Sequence, residues 1–130
     1  MIGIDTNVLV RFLLEDDINQ STRSTAFLAS LSPQNPGYIS LVTLVELVWV
    51  LDRTYRKPRQ EIREFLRGLL ESNDLIFERY DVVFQAFRGF ESSNADFSDC
   101  LIERLCASAG CSQTVTFDAR AAKSAGMVLL

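Results

Sequence analysis

The chain of 130 residues contains no histidine, and that absence removes more chemistry than any other feature. Ser-His-Asp and Cys-His hydrolases need an imidazole base, and the usual zinc sites need it as a ligand. Catalysis here must rest on carboxylates, hydroxyls, lysine, arginine or a bound metal ion. Cysteine is scarce as well: Cys100, Cys106 and Cys111 form an odd set with no zinc-ligand spacing. That count argues against a disulfide framework and predicts buried free thiols. No apolar run reaches the roughly 20 residues that a membrane span needs. The longest, Leu41–Leu51, is interrupted by Thr43 and Glu46. The opening Met-Ile-Gly-Ile-Asp lacks the basic start and small-residue cleavage site of a signal peptide. The expectation is a cytoplasmic protein with no membrane association.

What is present fits one ordinary α/β domain over residues 1–130. Hydrophobic residues make up 48% and charged residues 23%, enough apolar material for a core. No repeat or low-complexity tract suggests a second domain. The net charge of −4 argues at first against a nucleic-acid partner. The average conceals an asymmetry: Arg53, Arg56, Lys57, Arg59, Arg63 and Arg67 are six of the 13 basic residues. This stretch reads either as a phosphate-tracking or partner-binding surface, or as an arginine face paired with Glu61, Glu64 and Glu71.

Short apolar runs alternate with helical periodicity along the chain. Ile2 to Asp5 reads as a central strand ending at Asp5, followed by a helix from Thr6 or Asn7 that buries Val8, Leu9, Phe12 and Leu13. Glu15-Asp16-Asp17 breaks the pattern, and a second helix runs through Phe27, Leu28 and Leu31. After a turn at Pro33 to Gly37 comes a strand at Tyr38-Ile39. Ser40 then caps a long apolar helix from Leu41 to about Tyr55. Lys57-Pro58 separates it from a helix at Arg59 to Glu71. A strand at Leu75 to Phe77 precedes helices at Val82–Phe90 and Phe97–Ala109, with Gly110 as C′ residue. Thr114 to Thr116 reads as a strand ending at Phe117-Asp118. A short helix to Ala125, a stop at Gly126 and an edge strand at Met127–Leu129 complete the pattern. The alternation predicts a largely parallel sheet flanked by helices. Trp49, Phe65 and Phe27 are expected in the core, and Phe84, Phe87 and Phe90 along one buried helix side or a dimer surface.

Four acids are out of place in this pattern. Asp5 and Asp118 each end an apolar strand, and in open parallel sheets ligands bind at the carboxyl ends of strands. Each could equally N-cap the helix that follows. Glu46 lies in a helix apolar on nearly every side, where an unpaired buried carboxylate costs several kcal/mol, on the order given for buried ions. Arg53, two turns on and about 10 Å along the axis, is a distant partner; a metal-facing role fits better. Asp96, Asp99 and Glu103 project from one side of a helix, where like charges call for a compensating cation. Acids in a first helical turn also favour the macrodipole, which accounts for Asp96; Glu103 reads as a solvated rim acid. Oxygen-only ligands of this kind suit magnesium or manganese. Such ions activate water for attack on a phosphodiester and turn an acidic cleft into one an anionic backbone enters.

Asp5-Thr6-Asn7, Glu46 in its apolar helix, Asp96-Phe-Ser-Asp99-Cys-Leu-Ile and Thr116-Phe-Asp118 together resemble the PIN-domain nucleases. In size and motif wording they are most similar to the VapC-type toxins of toxin–antitoxin pairs. The resemblance runs from Asp5 to Asp118. It implies a PIN-like three-layer sandwich with a short, mostly parallel central sheet, and divalent-metal-dependent RNA cleavage. It matches Asp5, Glu46, Asp99 and Asp118 to the metal-binding catalytic quartet and Asp96 to an auxiliary acidic ligand. Asn7 and Thr116 match supporting polar residues. It further implies a homodimer and a small antitoxin partner. Arg11 and Arg120, each close after a key acid, are candidate phosphate contacts. The alternatives are a catalytically silent PIN-fold binding module and a DNA-directed nuclease. The complete quartet disfavours the first, and 130 residues leave little room for the clamp insertions of the second.

Overall fold

A computed structural model describes all 130 residues. The chain is α/β, with seven α-helices and five short strands in which every strand pairing is parallel. Its contacts fall into two compact units, Met1–Glu78 and Arg79–Leu130.

The first unit runs β1 (Ile2–Gly3), α1 (Thr6–Leu13), α2 (Ile18–Ala29), β2 (Gly37–Ile39), α3 (Leu41–Trp49), α4 (Arg59–Glu71) and β3 (Leu75–Phe77). Parallel strands need long crossovers, and each crossover here is a pair of helices. The strand order is β1-β2-β3, so β2 is the central strand and β1, expected to be central, lies at one end of the order. Gly37 pairs with Ile2 on one side and Leu75 on the other. A Cβ there would stand 2.5 Å from Ile4 Cδ1 and 2.9 Å from Leu31 Cδ1. The strand can sit this close to the core only because the residue has no side chain.

Helix α3 places the candidate acid Glu46. Ser40 Oγ accepts from Thr43 N at 3.2 Å, as its capping role predicts. Glu78, 37 residues away, accepts from Leu41 N at 2.8 Å. The buried face of α3 is narrow: Thr43, Leu44 and Leu47, continued by Leu51. The helix does not run regularly to Tyr55. It passes into a π-helical turn at Val50–Thr54, where Tyr55 N donates to Val50 O at 3.1 Å. Arg56, with φ of 51°, then turns the chain into the extended Lys57-Pro58 step.

The second unit comprises α5 (Tyr80–Ser92), α6 (Phe97–Ser108), β4 (Val115–Thr116), α7 (Ala119–Ser124) and β5 (Val128–Leu129). Helices α5 and α6 pack on each other, and Val83, Phe87 and Phe90 of the first and Phe97 and Leu101 of the second are all buried. Phe90 and Phe97 meet edge to face at 5.9 Å, a favoured aromatic geometry. Phe84, expected on this buried side, is exposed, with Tyr80 stacked on it and Arg88 over its ring. Positions i, i+3 and i+6 drift around a helix, so only Phe87 and Phe90 reach the core. Gly110 at φ 96° ends α6 as C′ residue, and Gly126 at φ 77° precedes β5. All three thiols are free, but only Cys100 is buried; Cys106 is half-buried and Cys111 exposed.

Candidate active site

In the first unit, Asp5 follows β1 and caps α1: its carboxylate accepts from Thr6 N at 2.7 Å. The remaining carboxylate surface is exposed to solvent. Capping does not compete with a ligand role, because one carboxylate accepts several bonds. Glu46 is exposed, not buried as its apolar neighbours suggested. The reason is the phase of α3: its buried residues lie on the opposite side, so Val42, Glu46 and Trp49 look outward. Trp49, expected in the core, is 57% exposed. The desolvation argument for Glu46 therefore lapses, and its place in the site rests on the motif resemblance. Helix α3 packs on α1, and Thr43 Oγ1 reaches Ile4 O at 3.5 Å.

Asn7 is exposed and its side chain makes no hydrogen bond, so it does not orient either acid here. Arg11 is engaged on its own element pair. Its Nη1 lies 2.8 Å from Asp16 and its Nε donates to Gln20 Oε1 at 2.8 Å. In the Arg53–Arg67 stretch, Arg53 faces Asp52 at 3.5 Å and Lys57 faces Glu61 at 3.8 Å. These pairs favour the ion-paired reading of that stretch at those positions.

The second unit brings three of the predicted acids into electrostatic contact. Asp96 caps α6 by position and Asp99 lies in its first turn. Asp118 caps α7, accepting from Arg120 N at 2.8 Å and Ala121 N at 3.4 Å. Thr116 Oγ1 accepts from Asp118 N at 3.0 Å, a bond to the backbone of Asp118. Arg120 donates twice to Asn94 O, at 3.1 and 2.6 Å, and lies 3.8 Å from Asp96. Arg120 thus joins the start of α7 to the loop that launches α6. Sequence reasoning offered it only as a phosphate contact; a backbone carbonyl as partner leaves no sequence signal. Glu103 is bound by Arg104 and is only 15% exposed at its side chain, so it is not a free rim acid.

Asp99 differs from its neighbours. It is half-buried and makes neither a hydrogen bond nor an ion pair. Burial first, then the negative charges of Asp96 and Asp118, push its carboxyl above the ordinary value of 3.8, while Arg120 partly offsets them. Loss of water and like-charge proximity act in the same direction on a carboxylate. The cluster sets three carboxylates against one nearby cation, Arg120.

A divalent cation suits this deficit. The donors are hard carboxylate oxygens, with no imidazole in the chain and the nearest thiol, Cys100, buried. No three acidic or thiol side chains converge into a closed ligand group. Magnesium commonly takes only one or two protein carboxylates, with waters and substrate phosphates completing its shell. The residues fit such an ion and would not form a calcium-like cage.

A family model described as the PIN domain matches residues 2–126. The chain belongs to the PIN domain family, whose members are typically metal-dependent, nuclease-type domains. No curated protein matches it. No helix is long and apolar enough to cross a membrane.

Proposed function

We propose that the chain is a magnesium- or manganese-dependent endoribonuclease, with Asp5, Glu46, Asp99 and Asp118 as metal-binding catalytic carboxylates and Asp96 as an auxiliary ligand. The observation that carries this reading is Asp99: a half-buried, unpartnered carboxylate whose proton affinity is raised by burial and by Asp96 and Asp118. Groups with such perturbation cluster at functional sites. A bound divalent ion would lower the pKa of an attacking water and neutralise charge developing on the phosphate. The chain's own residues prepare the place. Thr116 fixes the backbone of Asp118, the α7 cap fixes its carboxylate, and Arg120 ties Asp96 to the start of α7.

The finer reading is a cytoplasmic toxin of a toxin–antitoxin pair that acts as a homodimer and is held in check by a small antitoxin protein. Its support is the wording of the Asp5-Thr6-Asn7, Asp96-Phe-Ser-Asp99 and Thr116-Phe-Asp118 motifs.

Purified protein incubated with magnesium and matched single-stranded RNA and DNA should cut the RNA internally and leave the DNA largely intact. Preferential DNA cleavage would contradict the substrate assignment. Cleavage of neither would favour the silent binding module.

A further inference from the structure

Helices α1 and α2 and strand β1 enclose a cleft of about 450 Å³ in the first unit. Its lining includes Ile4 and Asn7, the residues on either side of the Asp5-Thr6 step, while Asp5 and Thr6 themselves do not line it. The polar groups lining it are Asn7, Arg11, Gln20, Arg23 and Ser24, with Phe27 as an apolar wall; no carboxylate lines it.

Three observations mark this cleft as built for an anionic, hydrogen-bond-accepting ligand. First, Arg23 is exposed and makes no ion pair or hydrogen bond within the chain, so its guanidinium is available. Second, Arg11 is pre-oriented: Nε and Nη1 are held by Gln20 and Asp16, leaving its second terminal nitrogen to donate elsewhere. Gln20 spends its oxygen on Arg11, which leaves its amide nitrogen as a donor. Third, Ser24 is only 7% exposed yet its hydroxyl makes no hydrogen bond. No fully enclosed side-chain oxygen or nitrogen lacks a partner, so this hydroxyl is reached from the cleft it lines. Two guanidiniums, an amide donor and an unsatisfied hydroxyl beside a half-buried aromatic match a phosphate with its attached nucleoside.

We propose that this cleft is a nucleotide subsite for the RNA strand, with Arg23 binding a backbone phosphate and Ser24 donating to the same nucleotide. The inference rests on the ribonuclease reading and names residues outside the acidic quartet. Arg11 supplies a second, fixed guanidinium, and Phe27 offers an apolar surface to the sugar or base. A protein partner is disfavoured because the polar lining offers an unpaired cation, Arg23, beside the Asp16-bound Arg11, and no carboxylate to pair with basic groups.

The test uses the full chain with a short, unstructured, fluorescent RNA. Binding is read in EDTA across a salt series, and cleavage in magnesium. Arg23→Ala removes no intrachain bond, so folding is preserved. It should weaken RNA binding and raise KM roughly five- to tenfold with kcat within about twofold, and flatten the salt slope by about one phosphate's worth, ~0.7 for single strands. Arg23→Lys should restore the slope. Ser24→Ala should weaken binding without changing the slope, because a hydroxyl carries no charge. If the wild type neither binds nor cuts RNA, the ribonuclease reading falls and takes this subsite with it. If the wild type cuts RNA but Arg23→Ala matches it in affinity, KM and salt slope, the subsite alone is overturned.

Discussion

Asp99→Asn should lower RNA cleavage by at least about 10²–10³-fold, the scale seen when one group stabilising a charged transition state is lost. The same change should make the metal-free protein more stable at neutral pH. The sign follows from the carboxyl's raised proton affinity in the fold. The protonated carboxyl is favoured by folding, so this stabilisation is complete below the unfolded value near 3.9. It is lost as pH rises through the higher folded value. The asparagine variant carries no such loss. Its advantage in thermal midpoint should therefore vanish in acid, appear as pH rises past that window, and hold level above it. Magnesium should reverse the order, because a ligand that binds only the native protein raises its stability, and the wild type binds it better. Thermal melts at several pH values, with and without magnesium, read all of this. An asparagine variant less stable than the wild type in metal-free buffer at pH 7 would show that Asp99 is not under repulsion. Asp5→Asn should abolish cleavage to a similar degree while keeping the α1 cap, since asparagine caps as well as aspartate.

The second large effect concerns the ion. Stripping the protein with EDTA should bring RNA cleavage to background, and magnesium or manganese should restore it. Calcium should restore little, because it prefers six to eight oxygens in a looser cage, and the structure gathers no closed group of three acids. Activity that survives exhaustive chelation would contradict the metal mechanism and leave the chain's carboxylates, lysines, arginines and hydroxyls to act without an ion. Cleavage on a gel after chelation and re-addition of each metal decides the matter.

Much of the fold was legible because local signals were strong. The helix at Arg59–Glu71 and the strand at Leu75–Phe77 fall where Pro58 and the apolar run place them, and Ser40 caps α3 as its hydroxyl suggests. Asp5 and Asp118 each lie two residues past a strand and cap the next helix, as the capping reading of each acid had it. What failed did so where phase or distant contacts decide. Leu41–Leu51 is so apolar that Glu46 is the one charged residue on its outer face, while polar Thr43 lies on the inner one, and both Glu46 and Trp49, expected inside, are exposed. The π-helical turn at Val50–Thr54 and the bond from Leu41 to Glu78 carry no local signature. Neither does the grip of Arg120 on Asn94 O. The special character of Asp99 was half visible. Its spacing from Asp96 is in the sequence, but the approach of Asp118 and the loss of solvent come only with the fold. The strand order, with β2 between β1 and β3, is likewise a property of the crossovers.

The most direct test of the acidic site is calorimetric titration of manganese into the metal-free protein, with wild type and Asp99→Asn side by side. Saturable binding by the wild type that weakens at least about tenfold in the variant, the lower end of the range seen when a metal site loses even a supporting group, is the predicted result. Equal affinity in the two proteins, or no binding by the wild type up to millimolar metal, would contradict it.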